Sequence, residues 1–198
     1  MPSMGAKELS KAEIESFVLQ AQKGSIESFE ILYDYFFDKI YRHVSFRVNA
    51  EYVEDLVSEV FLRLVQSISK YTPKKNASFA AWVFRIAHNQ IIDHYRKQKE
   101  VLIAPNEDDA QESFFDTFPD EDTPTPDVQA QQLFEAKKIR EALQKVRPAH
   151  REILELKYLE DFSNKEIAQV TGKSEGNIRI IQLRALKELR TYLEKYNS

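Results

Sequence analysis

The chain has no cysteine, only four glycines, and no apolar run of the length a bilayer requires. The first absence excludes disulfides, thiolate catalysis and every cysteine-based zinc or iron–sulfur site. Four glycines are too few to build a Gly-rich phosphate cradle, so nucleotide-binding loops drop out. Without a long apolar run no membrane span is expected. Residues Met1 to Ser10 lack an apolar stretch behind a basic start, so no secretory signal is expected and the cytoplasm is the expected compartment. What remains is ordinary globular material: 198 residues, 42% hydrophobic and 30% charged, enough for two small domains.

A net charge of −4 argues against a nucleic-acid binder until it is divided along the chain. Residues 1–100 carry 14 basic against 13 acidic side chains, residues 101–132 carry none against 9, and residues 133–198 carry 14 against 10. The acidic middle also holds four of the seven prolines, Pro105, Pro119, Pro124 and Pro126, and its apolar residues keep no period. It reads as a flexible acidic linker over 101–132 between helical bodies at 10–100 and 133–198. The expected fold class is all-α, two small helical domains.

Apolar spacing sets the expected helices. In the first body Ile14, Phe17, Val18 and Ala21 form one stripe, and Ile26, Phe29, Tyr33, Phe36 and Ile40 a second, with Gly24-Ser25 between them as stop and cap. Val53, Leu56, Val57, Val60, Phe61 and Leu64 form a continuous seam that ends by Thr72-Pro73. A fourth helix is expected from after Ser78 to about Lys99, with Phe79, Val83, Ile86 and Ala87 inward. In the second body Ala136, Ile139, Leu143 and Val146 share a face, and Pro148 opens a helix carrying Ile153, Leu154 and Leu156. A short helix capped by Ser163, a turn at Gly172 and a longer helix capped by Ser174 complete a helix-turn-helix outline. Ile178, Ile181, Ala185 and Leu189 should face inward, leaving Asn177, Arg179, Arg184 and Lys187 outward.

Two features carry chemistry. The helix-turn-helix can place its second helix in a major groove, and Lys173, Arg179, Arg184, Lys187 and Arg190 concentrate around that helix; the plainer alternative is a helical hairpin. On the fourth helix Trp82, Arg85, Asn89, Ile92 and Arg96 share one side, a mixture that can stack on unpaired bases and neutralise phosphates. The plainer reading there is a half-buried Trp beside solvated arginines. The preceding loop, Lys74 to Ser78, can surround a base pulled from its stack. His88 and His94 lie six apart and face different ways, so no metal site is expected, and the scattered acids suggest no catalytic centre. No enzyme activity and no cofactor are expected.

In combination these segments resemble the bacterial RNA polymerase sigma factors of the extracytoplasmic-function (ECF) group, from about Phe17 to Leu193. Glu54 to Leu64 is similar to the family's region 2.2, which grips the coiled coil of the polymerase's largest subunit. The resemblance implies that Asp55, Glu59, Leu62 and Arg63 face polymerase; Ser58 stands where Gln is common. Phe79 to Asn89, followed by Ile92 to Lys97, resembles regions 2.3 and 2.4, which melt and read the minus-ten element. That match implies roles for Lys74, Lys75, Asn76 and Ser78 around the flipped base, and for Trp82, Arg85, Asn89 and Arg96 in strand capture and at the upstream junction. Pro148 to Leu154, Asn164 to Ala168 and Ser174 to Ala185 resemble region 4, which reads the minus-thirty-five element and touches the polymerase flap. Lys173, Ser174, Glu175, Asn177, Arg179 and Arg184 are the implied DNA contacts, Asn177 standing where Thr is usual.

The resemblance implies a transcription initiation factor whose partners are core RNA polymerase, promoter DNA and an anti-sigma factor. It also implies that the acidic linker threads the channel by which RNA leaves the polymerase, mimicking RNA phosphate; a solvated spacer is the alternative. No separate acidic N-terminal domain is expected before the first helix, consistent with the short group. A stand-alone helix-turn-helix regulator, and a mimic that sequesters an inhibitor, are the rival functions.

Overall fold

A computed structural model describes residues 8–73, 78–102 and 138–196. Among these residues every regular element is a helix, and the chain divides into two compact units. The all-α, two-body expectation holds. Among the described residues no helix is long and apolar enough to cross a membrane. The expected linker, apart from its first two residues at the end of a helix, and Ala136 lie outside the described residues.

The first unit is built from α1 (Lys11–Gln22), α2 (Ile26–Ser45), α3 (Ala50–Ser67), a 3-10 turn (Ile68–Lys70) and α4 (Phe79–Leu102). Ser10 starts α1 with a capping box: its hydroxyl accepts from the N–H of Glu13, whose carboxylate accepts from the N–H of Ser10. Ser25 caps α2 through the N–H of Ser28 at 3.2 Å. The six seam residues of α3 are all buried, as their spacing predicts. At the foot of α4 the Tyr95 hydroxyl donates to the carbonyl of Arg47, fixing the chain as it leaves α2.

Two expectations need correction here. Ile26 is 71% exposed and Tyr33 37%, whereas Ser28, Leu32, Phe36, Ile40 and Val44 are buried. The inward stripe of α2 thus runs at i+4 through Leu32 and Val44. Tyr33 instead belongs to a lateral aromatic row with Phe37 and Tyr41, and its ring meets Phe61 of α3 at 4.5 Å. Helix α4 also continues to Leu102, past the expected end near Lys99, because nothing between Gln98 and Leu102 breaks a helix and the next proline is Pro105.

The second unit comprises residues 138–145 (α5), α6 (Pro148–Tyr158), α7 (Asn164–Thr171) and α8 (Glu175–Tyr196). Val146, Leu154 and Ala185 form a buried cluster against which Leu143, Leu189 and Tyr192 pack. Ile153, Leu156, Ile167, Val170 and Ile178 are buried as well. Ile139, expected inward, is 46% exposed, and Ala142, three positions on, takes the buried position. Arg151 is 4% exposed and staples the end of α5, donating to the carbonyls of Gln144 at 2.6 Å and Val146 at 3.2 Å.

Candidate nucleic-acid and polymerase interfaces

The helix-turn-helix of the second unit is specified by its caps. Ser163 and Glu166 form a reciprocal box at the start of α7. Gly172 ends α7 in the left-handed region, with φ 69°, a conformation that costs an L side chain about 1–2 kcal/mol. Ser174 accepts the N–H of Asn177 at 3.2 Å and starts α8. With Ile178 and Ala185 buried, Asn177, Arg179, Arg184, Lys187 and Arg190 are exposed, and Lys173 and Glu175 half-buried. Arg179 pairs with Glu175 at 3.0 Å on the helix surface. Such an exposed pair is worth only about 0.3–0.5 kcal/mol, so the guanidinium can exchange it for a phosphate or base edge at little cost.

Behind this face Glu188 ties α8 to the start of α6. Its Oε1 accepts from the backbone N–H of Arg147 at 3.0 Å, and its Oε2 accepts from the Arg147 Nε–H at 3.2 Å and lies 2.7 Å from His150 Nδ1. Burial pushes the Glu188 carboxyl upward, but the bonds from the Arg147 backbone, His150 and the Arg147 side chain outweigh it and hold the group below the usual range. His150 is 7% exposed, so its end of the tie is shielded from solvent, whereas the Arg147 end is open to it.

On α4, Arg85, Asn89, Ile92 and Arg96 are exposed along one face and Trp82 is half-buried at its head. Trp82 rests on two rings, Tyr71 at 5.2 Å and Phe79 at 5.4 Å, which leaves the rest of the indole open to stack on a base. Arg96 holds Asp93 at 3.3 Å. The Ser78 oxygen is engaged as the cap of α4, accepting from the N–H of Ala81 at 3.2 Å. Lys74, Lys75 and Asn76 lie outside the described residues.

The third face is an open groove between α3 and α4, lined by Tyr52, Asp55, Glu59 and Leu62 on one side and by Gln90, His94 and Lys97 on the other. Asp55, Glu59 and Arg63 are exposed and Leu62 is 57% exposed, an apolar group among charges as a protein contact requires. Gln90 is 2% exposed; oriented to satisfy both neighbours, its amide donates to Glu59 Oε2 at 3.3 Å and accepts from Arg63 Nε. The His94 ring meets that of Tyr52 at a tilt, with centroids 4.7 Å apart. Its pKa is lowered by burial and by Lys97, against an upward pull from Glu59.

The expected residues that the structure describes thus fall on three faces. Sequence reasoning missed Gln90, Glu188 and His150, which work from behind. Gln90 alone left a trace, a polar residue on the inward stripe of α4, seven positions after Val83.

Known families match both units of the chain. Residues 32–101 match the Sigma-70 region 2 family and residues 136–189 the Sigma-70 region 4 family. The ECF RNA polymerase sigma factor BldN of Streptomyces coelicolor is 31% identical over 185 residues, spanning 93% of this chain and 67% of that protein. The ECF sigma factor SigX of Bacillus subtilis is 28% identical over 178 residues, spanning 85% and 84%. In fold the chain is similar to CnrH, solved in complex with the cytosolic domain of CnrY, with a TM-score of 0.63 at 22% identity over 92% of this chain and 98% of that one. It is also similar to the sigma factor RpoE of Bartonella quintana, solved with the anti-sigma factor NepR, with a TM-score of 0.59 at 18% identity over 85% and 98%. With both sigma regions in order on an all-α chain, and a relative of this identity along nearly its whole length, the chain belongs to the ECF family of RNA polymerase sigma factors.

Proposed function

We propose that this initiation factor divides its work among the three faces. Asp55, Glu59, Leu62 and Arg63 dock on the coiled coil of core RNA polymerase. Trp82, Arg85, Asn89 and Arg96, with the Lys74–Ser78 loop, take the melted minus-ten strand. Asn177, Arg179 and Arg184, flanked by Lys173, Ser174 and Glu175, read the minus-thirty-five duplex. The observation that carries this division is the different make-up of the two DNA faces. An indole on an aromatic platform suits an unpaired base, whereas a capped helix tip with exposed Asn and Arg suits a major groove.

Opening then needs no nucleotide hydrolysis by this chain. Stacking of captured bases, about 1–3 kcal/mol each, offsets the few kcal/mol of unstacking, and bond synthesis belongs to the polymerase. The factor is therefore not an enzyme and works in the cytoplasm. RpoE was solved with an anti-sigma factor, and a protein of that class is the partner expected to hold this chain inactive.

Run-off transcription with purified core polymerase over a genomic promoter library tests the function. New start sites that depend on the added chain are the expected result. Strong, specific duplex binding by the chain alone, with no change in start sites, would mean a stand-alone regulator.

A further inference from the structure

Helix α1 has no part in the three faces, yet it holds both described ends of the loop that joins the 3-10 turn to α4. The Tyr71 hydroxyl donates to Glu15 Oε1 at 2.8 Å, and the N–H of Phe79, the first residue of α4, donates to the same oxygen at 3.1 Å. Two turns along α1, the Gln22 amide nitrogen donates to the carbonyls of Ile68 at 2.8 Å and Tyr71 at 2.7 Å. The rings of Tyr71 and Phe79 meet edge-on at 5.0 Å, and both support Trp82.

This is more than local capping. Ser78 already caps α4 from within the chain, so Glu15 adds a second, long-range acceptor at that terminus, where the helix dipole favours negative charge. Tyr71 is 6% exposed, and without Glu15 its hydroxyl would be buried with its best acceptor gone. Burial, and then the Glu15 carboxylate, push the phenol far above its ordinary range, so it remains a donor throughout the physiological span. The second Glu15 oxygen is buried without a partner, a desolvation penalty that a residue serving only solubility would not carry.

We infer that Glu15 is a positioning residue for promoter reading: one carboxylate oxygen holds the Tyr71 hydroxyl and the N–H of Phe79 and, through those two rings, fixes the seat of Trp82. This rests on the assignment of Trp82 to the melted strand. Glu15 itself is given no DNA contact. It sets the position from which the indole meets a base.

The test uses the full chain with core polymerase and a promoter found by run-off. Binding of holoenzyme to a fluorescent single-stranded minus-ten oligonucleotide is compared with binding to oligonucleotides changed at one base, giving a discrimination ratio for wild type, Glu15→Ala, Glu15→Gln and Tyr71→Phe. A single base is worth about 1–3 kcal/mol of discrimination, so Glu15→Ala is expected to lower the ratio about fivefold or more, with core affinity unchanged. A glutamine amide oxygen can accept the same two bonds, so Glu15→Gln should restore the ratio, which a merely destabilising substitution would not require. Tyr71→Phe, which removes one hydroxyl, should fall between them and carries the test should Glu15→Ala not fold. An unchanged ratio in Glu15→Ala or, failing that, in Tyr71→Phe overturns the proposal, as does Glu15→Gln behaving like Glu15→Ala. Trp82→Ala separates the two levels. Where it collapses the ratio and Glu15→Ala does not, only the role of Glu15 fails; where it leaves the ratio intact, the Trp82 assignment fails and takes the role with it.

Discussion

One chemical change, made at two glycines four residues apart, should move stability in opposite directions. Gly172 stands at φ 69° at the end of α7, and Gly176 lies in the first turn of α8. A Cβ added at either position meets nothing within 4 Å, so no clash complicates the comparison. At Gly172 only backbone strain remains, and Gly172→Ala should cost about 1–2 kcal/mol. At Gly176 the alanine removes conformational freedom from the unfolded chain and none that the helix uses, so Gly176→Ala should stabilise by about 0.5–1 kcal/mol. Because Trp82, the one tryptophan, lies in the first unit, tryptophan fluorescence is no direct probe of the second. Hydrogen exchange of peptides from α6 to α8 in the full chain can, with peptides from α2 and α3 as an internal reference. A shift of about 1 kcal/mol changes protection roughly fivefold, well within reach. Gly172→Asn should recover most of the loss, since Asn tolerates this conformation. Shifts of the same sign at both positions would refute the account of the turn.

The remaining predictions address the faces and one tie behind them. Arg184→Ala should weaken holoenzyme binding at promoters with an intact minus-thirty-five element by about 1–3 kcal/mol without altering core affinity, measured by competition binding. Trp82→Ala should let closed complexes accumulate with little permanganate reactivity; normal opening would count against the minus-ten assignment. The Glu188 carboxyl titrates below its ordinary value of 4.5, so in that window the unfolded chain binds more protons and stability rises with pH. Exchange protection of α6 to α8 should therefore fall as the pH drops from 4.5 through the folded-state value, and Glu188→Gln should flatten that fall.

The inward seam of α3 was legible because its six apolar residues sit at i, i+3 and i+4, with most of the other positions polar or charged. Helix α2 was not, because its middle offers two apolar stripes one residue apart, Leu32-Phe36-Ile40 and Tyr33-Phe37-Tyr41. Only the neighbours decide between them: Phe36 meets Phe79, and Tyr33 meets Phe61. Ala142 was passed over for Ile139 because a small side chain gives almost no hydropathy signal, however completely it is buried. Caps were the most readable of the polar features, since Ser25, Ser163 and Ser174 each act on a residue three positions on. Glu15 and Glu188 act on residues 64 and 38 positions away, and no local period records such a bond.

That contrast follows from what a reading surface must be. Side chains that meet DNA or polymerase have to stay solvated and exchangeable, so their own contacts in the free protein are weak, as with Arg179 on Glu175. They cannot also hold their helices in place. The rigidity that presents them must come from groups behind the face, where a hydrogen bond to a charge is worth about 1.5–3 kcal/mol instead of a few tenths. Glu15 at the head of α4, Gln90 under Glu59 and Arg63, and Glu188 between α6 and α8 each occupy such a place. Substitutions on the exposed faces should consequently alter recognition with little effect on folding. At the three backing residues both effects arrive together, and only isosteric changes such as Glu15→Gln can separate them.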